Sequence, residues 1–160
     1  MKEFIPRSSV PSYLSRLKGD RAKEIYTLAL KALKRDRNYR DPKYSIQRLA
    51  DEVHTNTRYV AAAIAMCTGG NYRTLVNQLR LKDVIHMMGS RFYTHLTTEE
   101  IGLLAGFASR QMFYKNFSRE FSLTPRQYRL KLQQELLEKS NDESSSNNSQ
   151  TLVNASTETL

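Results

Sequence analysis

Apolar residues along this chain recur every three or four positions, and the period-two alternation of a half-buried strand is missing. Ile25, Leu28, Ala29, Ala32 and Leu33 form one stripe, with Lys23, Lys31, Lys34 and Arg35 on the remaining surface. That pattern predicts an amphipathic helix from Asp20 to Asn38, ended by Asp41-Pro42. Ser45 is placed to cap a short helix with Ile46, Leu49, Ala50 and Val53 on one face. After the polar break His54-Thr55-Asn56, Asn56 opens a third helix to about Met66, stopped by Thr68-Gly69-Gly70. A longer helix follows over 72–88, with Leu75, Leu79, Val84, Ile85 and Met88 apolar. Thr97 and Glu100 have the spacing of a capping box and start a short helix through Ile101, Leu104 and Ala105. Gly106-Phe107-Ala108 interrupts, Ser109 caps a helix to about Phe121, and Thr124-Pro125-Arg126-Gln127 begins the last one, with Pro at its first position. The expected fold is all-α: two helix-turn-helix units joined by a long connecting helix and preceded by an extra basic helix.

The periodicity fades at both ends. Pro6, Ser8, Ser9 and Pro11 predict an irregular start, and the polar run from Ser140 through Gln150, continuing to Leu160, predicts disorder over 140–160. The domain reading is therefore an N-terminal extension, 1–43, with one basic helix, and a domain over 44–131. Within that domain the first unit covers 44–68, the connecting helix 72–88 and the second unit 97–131.

Composition then removes several classes. No stretch reaches the roughly 18 apolar residues of a membrane span, and the first residues lack the apolar centre of a signal peptide, so a cytoplasmic protein is expected. The single Cys67 excludes an internal disulfide, and is expected to be a small packing residue. His54, His86 and His95 lack metal-ligand spacing, so no metal and no other cofactor is expected. Thr97-Thr98-Glu99-Glu100 reads as helix-capping and dipole chemistry rather than a catalytic carboxylate pair, and no nucleophile or phosphate-loop motif appears, so no enzyme is expected. Phe107, Phe113, Phe117 and Phe121 share one helical face and are expected to be core rather than a base-stacking platform.

Charge points toward a partner. The net charge of +9 divides into +7 over 1–43, +6 over 44–133 and −4 over 134–160. A basic body suits a polyanion, because phosphates release condensed counterions when Lys and Arg replace them. A helix-turn-helix uses its first helix to brace the second, whose N-terminal side chains reach base edges.

The residues Ile46-x-x-Leu49-Ala50, Asn56-Thr57-Arg58-Tyr59-Val60, Arg80-Leu81-x-x-Val84, Ile101-x-x-x-x-Gly106-Phe107, Phe113-x-x-x-Phe117-x-x-x-Phe121 and Thr124-Pro125-x-x-Tyr128-Arg129 resemble the AraC/XylS transcriptional regulators. The stretch from Gly106-Phe107 to Tyr128-Arg129 is the most specific part. The resemblance implies that both units dock on one face of double-stranded DNA, in successive major-groove segments ~34 Å apart. It also implies a promoter or operator as the site, with RNA polymerase recruited or excluded according to its position. By position, the base readers are Arg58, Ala61 and Ala62 in the first unit, where Arg58 and Tyr59 are the strong candidates, and Arg110, Gln111, Tyr114 and Lys115 in the second. Ala61-Ala62-Ala63 offers only methyls where relatives place polar readers, so the second unit is expected to dominate base reading.

Asn56, Ser109 and Arg126 are candidate backbone contacts; Arg80 is either a phosphate contact or a structural anchor. Tyr128-Arg129 is expected to close the core and form a salt bridge. Lys34, Arg35, Arg37 and Arg40 form either a solvated face or an extension of the footprint. Two other classes stay open: a protein-interaction module on the same fold, and membrane-surface binding through the first basic helix. The 43 residues before the domain are too few for a sensory domain, which leaves a stand-alone member, a separate sensor protein or the output end of a longer chain. The chain could work as a monomer or a dimer.

Overall fold

The computed structural model describes the backbone of residues 19–154 and the side chains of 19–139. Among the described residues seven α-helices follow one another: α1 Gly19–Lys34, α2 Ile46–Glu52, α3 Thr57–Thr68, α4 Tyr72–Gly89, α5 Thr98–Leu104, α6 Arg110–Phe121 and α7 Pro125–Asn154. No strand occurs among the described residues. The helix starts follow the capping chemistry read from the sequence. Ser45, Asn56, Thr97 and Ser109 each accept a hydrogen bond from a backbone N–H three residues on, and Thr97 with Glu100 completes the capping box.

The core has two parts that meet on α4. Leu75, Val76 and Leu79 pack with α1, α2 and α3, around Ile25, Leu33, Leu49, Val60 and Ile64. Leu81, Val84, Met87 and Met88 pack with α5 and α6, around Ile101, Phe107, Phe113 and Phe117. The phenylalanine row is core, as its spacing predicts: the Phe113 and Phe117 rings meet edge-on, and Tyr128 closes the cluster against Phe117 and Phe121. Helix α1 packs into the first core. Ala22, Ala29 and Ala32 are buried in one cluster with Ala62 and Ala63 of α3, and α1 packs more extensively on α3 than any other two elements pack together.

Two sequence expectations change. The first helix ends at Lys34 rather than Asn38, and a 3₁₀ segment over Arg35–Arg40 follows, with left-handed steps at Asp36 (φ 49°) and Arg37 (φ 57°). Tertiary bonds cause this: Asn38 Nδ2 folds back to donate to the Ala32 carbonyl, and the buried Tyr39 hydroxyl donates to Asp83 on α4 at 2.6 Å. Cys67 is exposed rather than packed in the core. The last helix runs to Asn154, with no proline or glycine after Pro125, and residues 155–160 of the polar tail lie outside the described residues.

The 3₁₀ segment fastens the two halves together. Arg40 Nε donates to Asp83 at 2.6 Å, and the Arg40 backbone lies against the turn of the second unit at Gly106. Gly106 has φ +98°, and a Cβ there would sit 2.2 Å from the Arg40 carbonyl oxygen, so only glycine fits. In the first unit the same place in the turn holds His54, also left-handed (φ 54°) but exposed.

Candidate nucleic-acid interface

The second helix of each unit, α3 or α6, has its first turn set by its cap. Asn56 Oδ1 accepts from the Tyr59 amide at 2.9 Å, and Ser109 Oγ accepts from the Met112 amide at 3.2 Å. Both candidate backbone contacts thus have their side-chain oxygens committed to capping, while remaining exposed.

Counted from those caps, Arg58 and Gln111 occupy equivalent second positions, Ala61 and Tyr114 fifth, Ala62 and Lys115 sixth. The sixth position differs in kind. Lys115 is exposed, whereas Ala62 is only 5% exposed. Ala62 is therefore core rather than surface, because α1 packs on that flank of α3. Its alanine is there for close helix packing. Helix α3 exposes Arg58, Ala61, Ala65, Met66, Cys67 and Thr68. Tyr59 is half-buried and packs against the first core.

On α6 the sequence-derived readers come together at the surface. Gln111 and Lys115 are exposed and make no side-chain hydrogen bond or ion pair with a described residue, and the same holds for Arg58. Arg110, 71% exposed, ion-pairs with Glu99 of α5 at 3.3 Å, and its guanidinium lies over the Tyr114 ring, 5.2 Å from the centroid. The Tyr114 hydroxyl donates to the same Glu99 Oε1 at 2.6 Å. This bond holds the Glu99 carboxyl below the usual carboxylate range.

Arg80 resolves to the anchor. Its Nε donates to the Tyr39 carbonyl at 2.7 Å, a second nitrogen donates to the Asp41 carbonyl at 3.4 Å, and the guanidinium lies over Phe107. Burial pulls its pKa down. The fold itself thus occupies Nε and one terminal nitrogen of this guanidinium. Arg40, bonded to Asp83, drops out of the basic run for the same reason, whereas Lys34, Arg35 and Arg37 are exposed, with Arg35 paired to Glu52. Arg129 finds no carboxylate. It donates to the Tyr93, Thr94 and Leu96 carbonyls and pins the loop before α5. Arg126 is exposed in the first turn of α7 and lines, with Glu99 and Arg129, an open groove of about 370 Å³.

Sequence reasoning missed two sets of residues. Glu99 is one. The other is a buried amide pair: Asn77 of α4 donates to Asn116 Oδ1 at 3.0 Å, and Asn116 donates to the Met112 carbonyl at 2.7 Å and accepts from Arg119 at 2.9 Å. It fixes α6 to the connecting helix α4. The available sign was an amide set between the apolar residues Val76 and Leu79.

Among the described residues no helix is long and apolar enough to cross a membrane. A family model described as a helix-turn-helix domain matches residues 49–131, just over half of the chain. No curated protein and no solved structure matches it. With two capped helix-turn-helix units, a shared connecting helix and this match, the chain belongs to the AraC/XylS-type helix-turn-helix family of DNA-binding transcription regulators.

Proposed function

We propose that the protein binds promoter DNA sequence-specifically, with α3 and α6 in successive major-groove segments and α6 supplying most of the base reading. The observation that carries the asymmetry is the contrast at the sixth helix position. Lys115 stands free beside Arg110 and Gln111, whereas Ala62 is packed under α1. Arg110 and Lys115 have the donors for guanine O6 and N7, and Gln111 for the adenine N6/N7 edge, each good bidentate pair giving about 1–3 kcal/mol of discrimination. In the first unit Arg58 is the one exposed polar side chain at a reading position, and the methyls of Ala61 and Ala65 suit at most thymine C5 contacts. Arg126 and the exposed Lys34, Arg35 and Arg37 are the proposed phosphate contacts; Arg80 is withdrawn from that set. RNA polymerase is the proposed downstream partner, and one chain carries both reading helices, so a monomer suffices.

Selection of bound fragments from a random duplex pool tests this reading. A single enriched motif is expected; Arg110→Ala and Gln111→Ala should relax it at defined positions, and Arg58→Ala should relax it less. Equal losses from both units overturn the asymmetry. A protein-interaction module is the competing reading, favoured by the apolar surface of α3 at Ala61, Ala65 and Met66, the last half exposed. Titration at two salt concentrations separates the two. A duplex binder with several phosphate contacts loses orders of magnitude in affinity between ~50 and ~200 mM salt. A protein-interaction module binds random duplex poorly at both.

A further inference from the structure

We infer that Glu99, on the first helix of the second unit, sets the sequence preference of α6 by holding Arg110 and Tyr114 in position for the bases. This rests on the DNA reading proposed above. One carboxylate oxygen carries the arrangement: Glu99 Oε1 accepts from the Tyr114 hydroxyl at 2.6 Å and pairs with the Arg110 guanidinium at 3.3 Å. The other oxygen, Oε2, accepts from the Thr98 hydroxyl at 2.9 Å, and this bond turns the carboxylate toward α6. Stacked over Tyr114, the guanidinium is confined by an ion pair on one side and a ring on another. Its side chain nevertheless stays 71% exposed, so donors remain for a base edge.

An ion pair this open adds little to folding stability, so the geometry serves something other than holding α5 to α6. A long arginine at a helix start samples many rotamers when free; restricting it before binding lowers the entropy lost when it reads a base. The Tyr114 hydrogen bond keeps the carboxylate ionised, so a negative charge sits where phosphates approach. Glu99 therefore acts against indiscriminate binding while sharpening the correct contact. It is a positioning residue, acting through Arg110 and Tyr114.

The test uses the duplex that the full chain selects from a random pool, together with a set in which each base pair is replaced in turn. Affinities are measured for the wild type, Glu99→Gln, Tyr114→Phe, Arg110→Ala and the Glu99→Gln/Arg110→Ala double variant. Glu99→Gln is expected to lower preference about fivefold at the base pair where Arg110→Ala acts, a part of what one bidentate contact supplies. Other positions should hold, and affinity for random duplex should stay equal or rise. Tyr114→Phe should relax the same base pair, and the Glu99→Gln effect should vanish in the Arg110→Ala background. Unfolding temperatures should stay with the wild type. Unchanged preference in Glu99→Gln, uniform weakening on every duplex, or a full effect without Arg110 overturns the inference while leaving the DNA reading intact. If the wild type selects no duplex, the DNA reading falls and this inference with it.

Discussion

Replacing Gly106 by alanine tests how the two halves are held. The added Cβ would lie 2.2 Å from the Arg40 carbonyl oxygen, 2.6 Å from its Cα and 2.7 Å from its carbonyl carbon. All three are backbone atoms of a segment tied to α4 through Tyr39, Arg40 and Arg80, so no rotamer change relieves the overlap. The left-handed backbone at φ +98° adds about 1–2 kcal/mol for a residue with a side chain. Overpacking at a tight contact adds about 1–3 kcal/mol. Reduced freedom of the unfolded chain returns about 0.4–1 kcal/mol. Net destabilisation is then about 2–4 kcal/mol, a fall in Tm of roughly 10 °C for a domain of this size. Circular-dichroism melts and urea titration measure it, with His54→Gly as the control. That variant occupies the matching turn, is exposed, and should be neutral or stabilise by up to ~1 kcal/mol as the left-handed strain is removed. A Gly106→Ala protein within ~0.5 kcal/mol of the wild type would falsify the claim that the 3₁₀ segment bears on this turn.

Asn116→Leu should cost about 1–3 kcal/mol in chemical denaturation, because Asn77 is left buried without its acceptor; additivity in the Asn77→Leu/Asn116→Leu double variant would contradict the pairing. Ala62→Lys should destabilise by about 1–3 kcal/mol through overpacking under α1, while Lys115→Ala leaves stability within ~0.5 kcal/mol and weakens duplex binding. If Ala62→Lys melts with the wild type, the flank is open and the proposed asymmetry loses its cause. Tyr72 gives a pH test. Burial pushes its phenol up to about 12, and its hydroxyl donates to the Tyr44 carbonyl at 2.6 Å. Because the folded value lies above the unfolded one near 10, this contribution is complete below pH ~10 and lost as pH rises through about 12. Absorbance at ~295 nm should show late-ionising tyrosine that is reduced in Tyr72→Phe; full ionisation by pH ~11 without unfolding would contradict the burial.

Short-range chemistry made much of this architecture readable before any coordinates. Caps at Ser45, Asn56, Thr97 and Ser109 work through bonds spanning three residues, and the Phe113, Phe117 and Phe121 spacing is a property of one helix. Arg80 was not readable, since a lone arginine on an amphipathic helix serves a phosphate or a carbonyl equally well. Its partners, the Tyr39 and Asp41 carbonyls, lie about forty residues away. The burial of Ala62 was not readable for a related reason: position within a motif fixes a helix register, not which neighbour covers each flank.

The sequence alone therefore determined where the helices start, which face of each is apolar, and the family to which 49–131 belongs, because these depend on neighbours along the chain and on local hydrogen bonds. Tertiary structure decided the rest. It placed α1 over one side of α3, the Arg40 backbone against Gly106, and Glu99 against Arg110 and Tyr114. Those contacts join segments whose mutual distance no local pattern encodes, so the choice among exposed reader, packed methyl and buried anchor is made only when the two cores close on α4.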